Sequence, residues 1–280
     1  MRVPPPTGRP LPLLTLALLA GLWAVGCPSG DDVPPSGTSA ASSSSSAVAV
    51  GGAPPPGAAA GDPRALAIAD EVIEAVGGRD AWEATRYVTW VNFGKRLQVW
   101  DKQTGDIRVQ NDATTVLMNL GTREGRAWKF GSEITDPEEL RRALEWGYEA
   151  FQLDRHEILL PFMLRDEGFR LEYLGEGEVE GRPTDILRVT FDEGAPYSRA
   201  EYRLHIDKES RLLVQWDYYV DQGDEKPRFY LTWSNYQEYG NILLSDLRGP
   251  EQHLEVHVFD ELPASVFESP EPVPWLESEG

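Results

Sequence analysis

Ala200-Glu201-Tyr202-Arg203-Leu204-His205-Ile206, then Asp207-Lys208-Glu209-Ser210, then the run from Leu212 to Val220, read as two strands joined by a tight turn. Tyr202, Leu204 and Ile206 alternate with Glu201, Arg203 and His205, so one face of the first strand is dry and the other wet. The same composition, rich in Val, Thr, Trp, Tyr and Ile, recurs on both sides of this hairpin. Towards the C-terminus it marks Phe229 to Tyr236, Ile242 to Leu247 and Leu254 to Phe259, and just before the hairpin Phe169 to Leu174 and Asp185 to Phe191. Further upstream it marks Tyr87 to Phe93, Leu97 to Asp101, Asp106 to Gln110, Thr114 to Leu120 and Ala127 to Phe130. The turns Lys102-Gln103-Thr104-Gly105 and Thr122-Arg123-Glu124-Gly125 make neighbours of successive strands. So much sheet does not lie flat. The expected fold is mainly β with helical inserts (α+β): a strongly curved antiparallel sheet or incomplete β-barrel with helices covering its concave face.

Two helices are signalled. Asp62 caps the first, Pro63 suits its opening turn, Leu66, Ala69, Val72, Ile73 and Val76 form a stripe, and Gly77-Gly78 ends it. A short Asp80-Ala81-Trp82 turn leads from it to the strands. Asp136 caps the second, with Pro137, Glu138 and Glu139 in its first turn and helical spacing through Leu140, Ala143, Leu144, Tyr148 and Phe151. It runs into Ile158-Leu159-Leu160-Pro161-Phe162-Met163-Leu164, the most hydrophobic stretch beyond the first sixty residues. Such a segment is either core or the mouth of an apolar cavity. Leu159, Leu160, Phe162, Met163 and Leu164 are therefore candidate hydrophobic-ligand residues, together with Trp90, Trp100, Trp216 and Trp233, which fall on expected strands.

The N-terminus is of a different kind. Arg2 and Arg9 precede an apolar run from Leu11 to Val25 that is shorter than the ~20 residues of a comfortable bilayer span, so residues 1–26 read as an export signal. Leu22-Trp23-Ala24-Val25-Gly26-Cys27 resembles a bacterial lipobox, although Ala24 stands where leucine is commonest. The resemblance implies cleavage before Cys27 and acylation of its thiol. Cys27 is the only cysteine, which excludes an intramolecular disulfide. Residues 27–62 are mostly Ser, Ala, Gly and Pro, a composition that cannot offset its conformational entropy by burial, and read as a flexible tether reaching roughly 30 to 35 Å. Residues 63–262 form a single expected domain, and 263–280 an acidic, Pro-rich tail. The formal charge of −20 would repel phosphate backbones and anionic head groups. That argues against nucleic-acid binding and leaves the lipid anchor as the attachment to a membrane.

Four local features resemble the periplasmic lipoprotein-sorting group, the LolA/LolB-like incomplete barrels. They are the opening helix Ala69-Asp70-Glu71-Val72-Ile73-Glu74-Ala75-Val76-Gly77-Gly78, and the hairpin from Tyr173-Leu174-Gly175 to Val179-Glu180-Gly181-Arg182. The others are the hairpin Ile206-Asp207-Lys208-Glu209-Ser210-Arg211-Leu212 and the closing Leu262-Pro263-Ala264-Ser265-Val266-Phe267. The resemblance implies a cavity for lipid or lipoprotein acyl chains between sheet and helices. It also implies a place in the bacterial cell envelope, here lipid-anchored at the periplasmic face of the outer membrane, where Pro28 resembles the sorting rule. A soluble carrier of that group has no anchor, so Cys27 sets this chain apart. The other reading is a non-catalytic scaffold that binds an envelope protein partner.

Catalytic motifs are not found. Gly26-Cys27-Pro28-Ser29-Gly30 has its serine one place late for a nucleophile elbow, and Gly175-Glu176-Gly177-Glu178-Val179-Glu180-Gly181 is too acidic for a phosphate loop and reads as a hairpin turn. His253, Glu255 and His257 alternate along one strand and would share a face, a weak metal candidate, since such side chains stand ~7 Å apart. Nothing in the sequence calls for a cofactor or assigns an enzyme activity.

Overall fold

Asp62 starts the fold from a cap. Its Oδ1 accepts from the Ala65 amide at 2.8 Å and its Oδ2 from the Tyr173 amide at 2.6 Å, so one carboxylate opens a helix and ties it to a distant strand. The structure, a computed structural model, describes residues 59–193 and 198–273. Cys27 and the lipidation expected of it lie outside the described residues.

The chain opens with β1 (Ala60–Gly61), α1 (Pro63–Ala75) and α2 (Gly78–Ala84). A first run of strands follows: β2 (Tyr87–Asn92), β3 (Arg96–Asp101), β4 (Asp106–Gln110), β5 (Thr114–Asn119), β6 (Gly125–Lys129) and β7 (Ser132–Glu133). The long α3 (Pro137–Met163) separates these from β8 (Phe169–Val179), β9 (Arg182–Phe191), β10 (Glu201–Asp207), β11 (Leu213–Tyr219), β12 (Phe229–Tyr239), β13 (Ile242–Arg248) and β14 (Glu251–Gln252). β15 (Leu254–Phe259) and α4 (Ser265–Glu268) complete it.

Two open sheets result, mainly antiparallel. One runs β1-β8-β9-β10-β11-β12-β13-β14 and the other β15-β2-β3-β4-β5-β6-β7. The expected mainly-β fold with helical inserts is observed, with its strands divided between two sheets. Tight turns with positive φ, such as Glu180-Gly181 at +51° and +82°, keep sequence neighbours paired. The inner faces of both sheets share one core with α1 and α3. Tyr202, Leu204 and Ile206 lie in that core as the alternation requires. The opposite face of β10 is drier than expected, because Glu201 is buried between Arg188 and Arg203, each at 2.8 Å.

The domain limits differ from the sequence reading at both ends. Residues 59–61 belong to the fold: Ala59 is buried, and β1 pairs parallel with Arg170 and Leu171 of β8. Backbone pairing has no side-chain signature, and Gly61 is needed because a Cβ there would stand 2.5 Å from the Leu171 carbonyl oxygen. At the other end, Val266 and Val273 are buried with Leu97 and Val99 in a second small core on the outer face of the β2-β3-β4 sheet. Asp80-Ala81-Trp82, expected as a turn, lies within α2, where Trp82 stacks on Phe162 with ring centroids 4.4 Å apart.

Residues 158–163 of the hydrophobic segment are the last part of α3, which passes through Pro161 without stopping, and Leu164 is its C-cap. Proline has no amide hydrogen, so the carbonyl of Glu157, four residues earlier, loses its helical partner. His253, from the other end of the chain, replaces it, with its Nε2 donating to that carbonyl at 3.1 Å.

Candidate functional site

The nine apolar candidates converge. Leu159, Leu160, Phe162, Met163, Leu164, Trp90, Trp216 and Trp233 are buried in the shared core, with Trp100 half-buried against it. Leu159, Leu160, Leu164 and Trp90 have zero relative exposure, so no water-sized void borders them. On the side of the β2-β3 strands, Trp90 and Trp100 pack on Phe151 at 6.1 and 5.6 Å. As it stands, this interior is occupied by the protein's own side chains.

The other sheet carries its aromatics in a continuous ladder. Tyr202 stacks on Trp216 at 5.0 Å and touches Tyr218 at 5.3 Å, and Trp216 meets Trp233 edge-on at 5.9 Å. Tyr218 in turn stacks on Phe229 at 5.0 Å. Register sets this order: Trp216 opposes Leu231 and Tyr218 opposes Phe229 across β11 and β12, on the face that meets the helices. Phe229 is 40% exposed and neighbouring Val220 46%, so the ladder leads from an open apolar rim into the buried interior.

Behind Trp233 lies a buried polar cluster. Asp154, fully buried on α3, accepts from Asn92 Nδ2 at 2.8 Å, Gln98 Nε2 at 2.6 Å and the guanidinium of Arg96. Glu157, one turn on, has no such set. Its Oε2 lacks a hydrogen-bond partner, and burial, opposed by the charge of Arg248, pushes its carboxyl up to about 7. Arg248, opposite Trp233 in the β12-β13 register, is fully buried with its guanidinium 3.3 Å from the Trp233 ring centre. Burial brings it down to about 9. His253 is likewise brought down to about 3 by burial and stays neutral, and its Nδ1 has no partner. Since Nε2 donates to a carbonyl, Nδ1 is the unprotonated ring nitrogen.

The three members of the metal candidate do not come together. Glu255 takes a φ of +50° and the pairing of β15 with β2 slips between Leu254 and His257, so alternation is broken. His253 faces inward and stacks on Phe93 at 4.4 Å, while His257 sits 3.6 Å from Glu255. Among the described residues no group of three His, Cys, Asp or Glu is arranged to hold a metal. The described helices include none long and apolar enough to cross a membrane. A cleft of about 300 Å³ is lined by Leu212, Val214, Trp233 and Tyr236 together with the polar Glu180, Arg182, Ser210 and Asn235.

Sequence reasoning passed over Arg248 and Glu157. The signal was present for Arg248: it shares strand parity with Ile242 and Leu244, which puts a cation on a dry face. Glu157 gave none, because one glutamate on an acidic helix looks like any other.

No family model and no curated protein matches the chain. Solved structures that resemble it include a DUF1329 family protein from Desulfovibrio piger, 17% identical, covering 73% of this chain and 97% of that one at a TM-score of 0.42. A domain assigned as an outer membrane lipoprotein-sorting protein, from Vibrio parahaemolyticus, is 15% identical and covers 73% and 96% at 0.38. A LolA superfamily protein from Nitrosomonas europaea is 8% identical and covers 72% and 96% at 0.29. The last two carry the name of the group that the four sequence features resemble.

Proposed function

We propose that this chain is a non-catalytic, lipid-anchored cell-envelope protein that takes the apolar chain of a lipid or lipoprotein between its sheets. Attachment is through Cys27 at the periplasmic face of the outer membrane. The observation that carries the reading is the aromatic ladder from the exposed rim at Val220 and Phe229 to buried Trp216 and Trp233. An acyl chain entering there would gain roughly 0.8 kcal/mol per buried methylene, with no chemistry required. Because the interior is already filled, entry requires the end of α3 or the α1 cover to move aside, and release is the reverse motion. Native mass spectrometry of the protein from a membrane-containing host, followed by lipid extraction, tests the reading. A bound acyl species at fixed stoichiometry is the expected result. A mass that stays ligand-free when lipids are offered would sink it.

The filled interior favours a second reading, a scaffold that binds an envelope protein through its surface. Recovery of a stoichiometric protein partner and no lipid from envelope extract would select that one.

A further inference from the structure

We propose that the chain bound in this interior ends in a free carboxylate, held by Arg248: the ligand class is a single-chain fatty acid rather than an ester or an amide. This rests on the acyl-binding reading above and names its substrate.

Arg248 stands at the inner end of the ladder. Trp216 touches Trp233, and the Arg248 guanidinium covers the Trp233 ring. Its Nη1 donates to Ser245 Oγ at 2.7 Å and the Leu247 carbonyl at 3.0 Å, and its Nη2 to the Ser245 carbonyl at 3.0 Å. All three acceptors are neutral. The Nε has no acceptor, and among the described residues Arg248 makes no ion pair. The indole Nε1 of Trp233 is also buried without an acceptor. A fully buried cation with a spare donor is costly unless an anion with acceptor oxygens completes it. A carboxylate has only acceptors to offer and matches a guanidinium in charge and shape.

The surroundings select one negative charge rather than two. The carboxylates that act on Arg248 are Glu157 and Asp246. Asp246 is engaged by Asn235 Nδ2 at 2.7 Å and Gln252 Nε2 at 3.2 Å, and Asp154 by its own donors. Glu157 can shed its charge near neutrality, leaving Arg248 one monoanion to balance. A phosphate would bring a second charge into the same place. Arg96 does not compete, being paired with Asp154.

The test uses the full-length protein, delipidated during purification, with oleate and its neutral methyl ester as probes and tryptophan fluorescence as readout. Wild type should bind oleate at least roughly tenfold more tightly than methyl oleate, Arg248→Met should abolish that preference, and Arg248→Lys should keep part of it. Equal binding of the two probes by wild type overturns the carboxylate assignment while leaving acyl binding intact. A preference that survives in Arg248→Met overturns the role of Arg248. Binding of neither probe removes the acyl-binding reading and this inference with it. Should Arg248→Met fail to fold by circular dichroism, the wild-type and Arg248→Lys comparisons decide.

Discussion

Arg108 and Arg248 are both fully buried in strands, and their surroundings could hardly differ more. On the outer face of its sheet, Arg108 donates to the carbonyls of Val266, Ser269, Pro270 and Glu271 and to Gln110 Oε1. It fastens the C-terminal segment to the sheet, which is why residues 263–273 are part of the domain and not a tail. Arg248, on the inner face of the other sheet, has three neutral acceptors, a tryptophan ring and an Nε without an acceptor. A buried arginine whose donors are spent is explained by the fold, whereas one with a donor left over points to something else that binds.

The fully buried charge with three donor residues around it, Asp154, should break hardest. Asp154→Ala would strand the partly buried Arg96 and remove the acceptor of Asn92 and Gln98, with a loss of about 3 to 5 kcal/mol expected in urea unfolding. A loss under ~1 kcal/mol would mean that the network does not hold α3 in place. Arg108→Met comes next, at roughly 2 to 4 kcal/mol, since backbone carbonyls of the C-terminal segment lose their donor. Limited proteolysis should then cut near residues 263–273 before the rest of the fold. Unchanged protection there would show that Val266 and Val273 suffice as anchors.

Arg248→Met should behave in the opposite way. Burial holds this guanidinium down at about 9, below its ordinary value, so at neutral pH the folded state bears the full penalty of a desolvated charge. A methionine of similar volume removes that penalty and forfeits the contact with Trp233, for a net change between zero and a gain of about 2 kcal/mol. A clear destabilisation in thermal unfolding would place Arg248 with Arg108 as a structural clamp.

The sequence made these elements legible to different degrees for physical reasons. Alternation works where the strand is regular, as for Tyr202, Leu204 and Ile206, and helical spacing works for Val72 and Ile73, which are buried as their stripe requires. It fails where geometry has no side-chain code. The bulge at Glu255 separates His253 from His257, and the pairing of Ala60–Gly61 lies in the backbone alone. Pro161 leaves the Glu157 carbonyl without its helical donor, and the partner that replaces it, His253, comes from a position far along the chain that no local pattern names. Eight of the nine apolar candidates were readable as buried residues, with Trp100 half-buried beside them, because size and hydrophobicity decide that. Which of them end next to a charge depended on pairing Trp233 with Arg248, a register that hydrophobicity does not encode.

Glu157, the anionic neighbour of Arg248, gives the smallest and most diagnostic effect. Its folded-state value of about 7 lies above the ordinary 4.5, so the fold favours the protonated acid. That contribution is present in full below about 4.5 and is lost as pH rises through 7. His156 and His253 run the other way: both are held near 3 by burial, so their contribution is present above about 6.5 and is lost as pH falls towards 3. Glu157→Gln removes the first trend and leaves the second. The variant should therefore be more stable than wild type by on the order of 1 to 3 kcal/mol at pH 8, and the advantage should vanish by about pH 4. Denaturant unfolding at the two pH values measures the difference. An offset equal at both would show that Glu157 does not titrate in this window, and that Arg248 faces a permanent anion rather than one that can yield to a ligand's carboxylate.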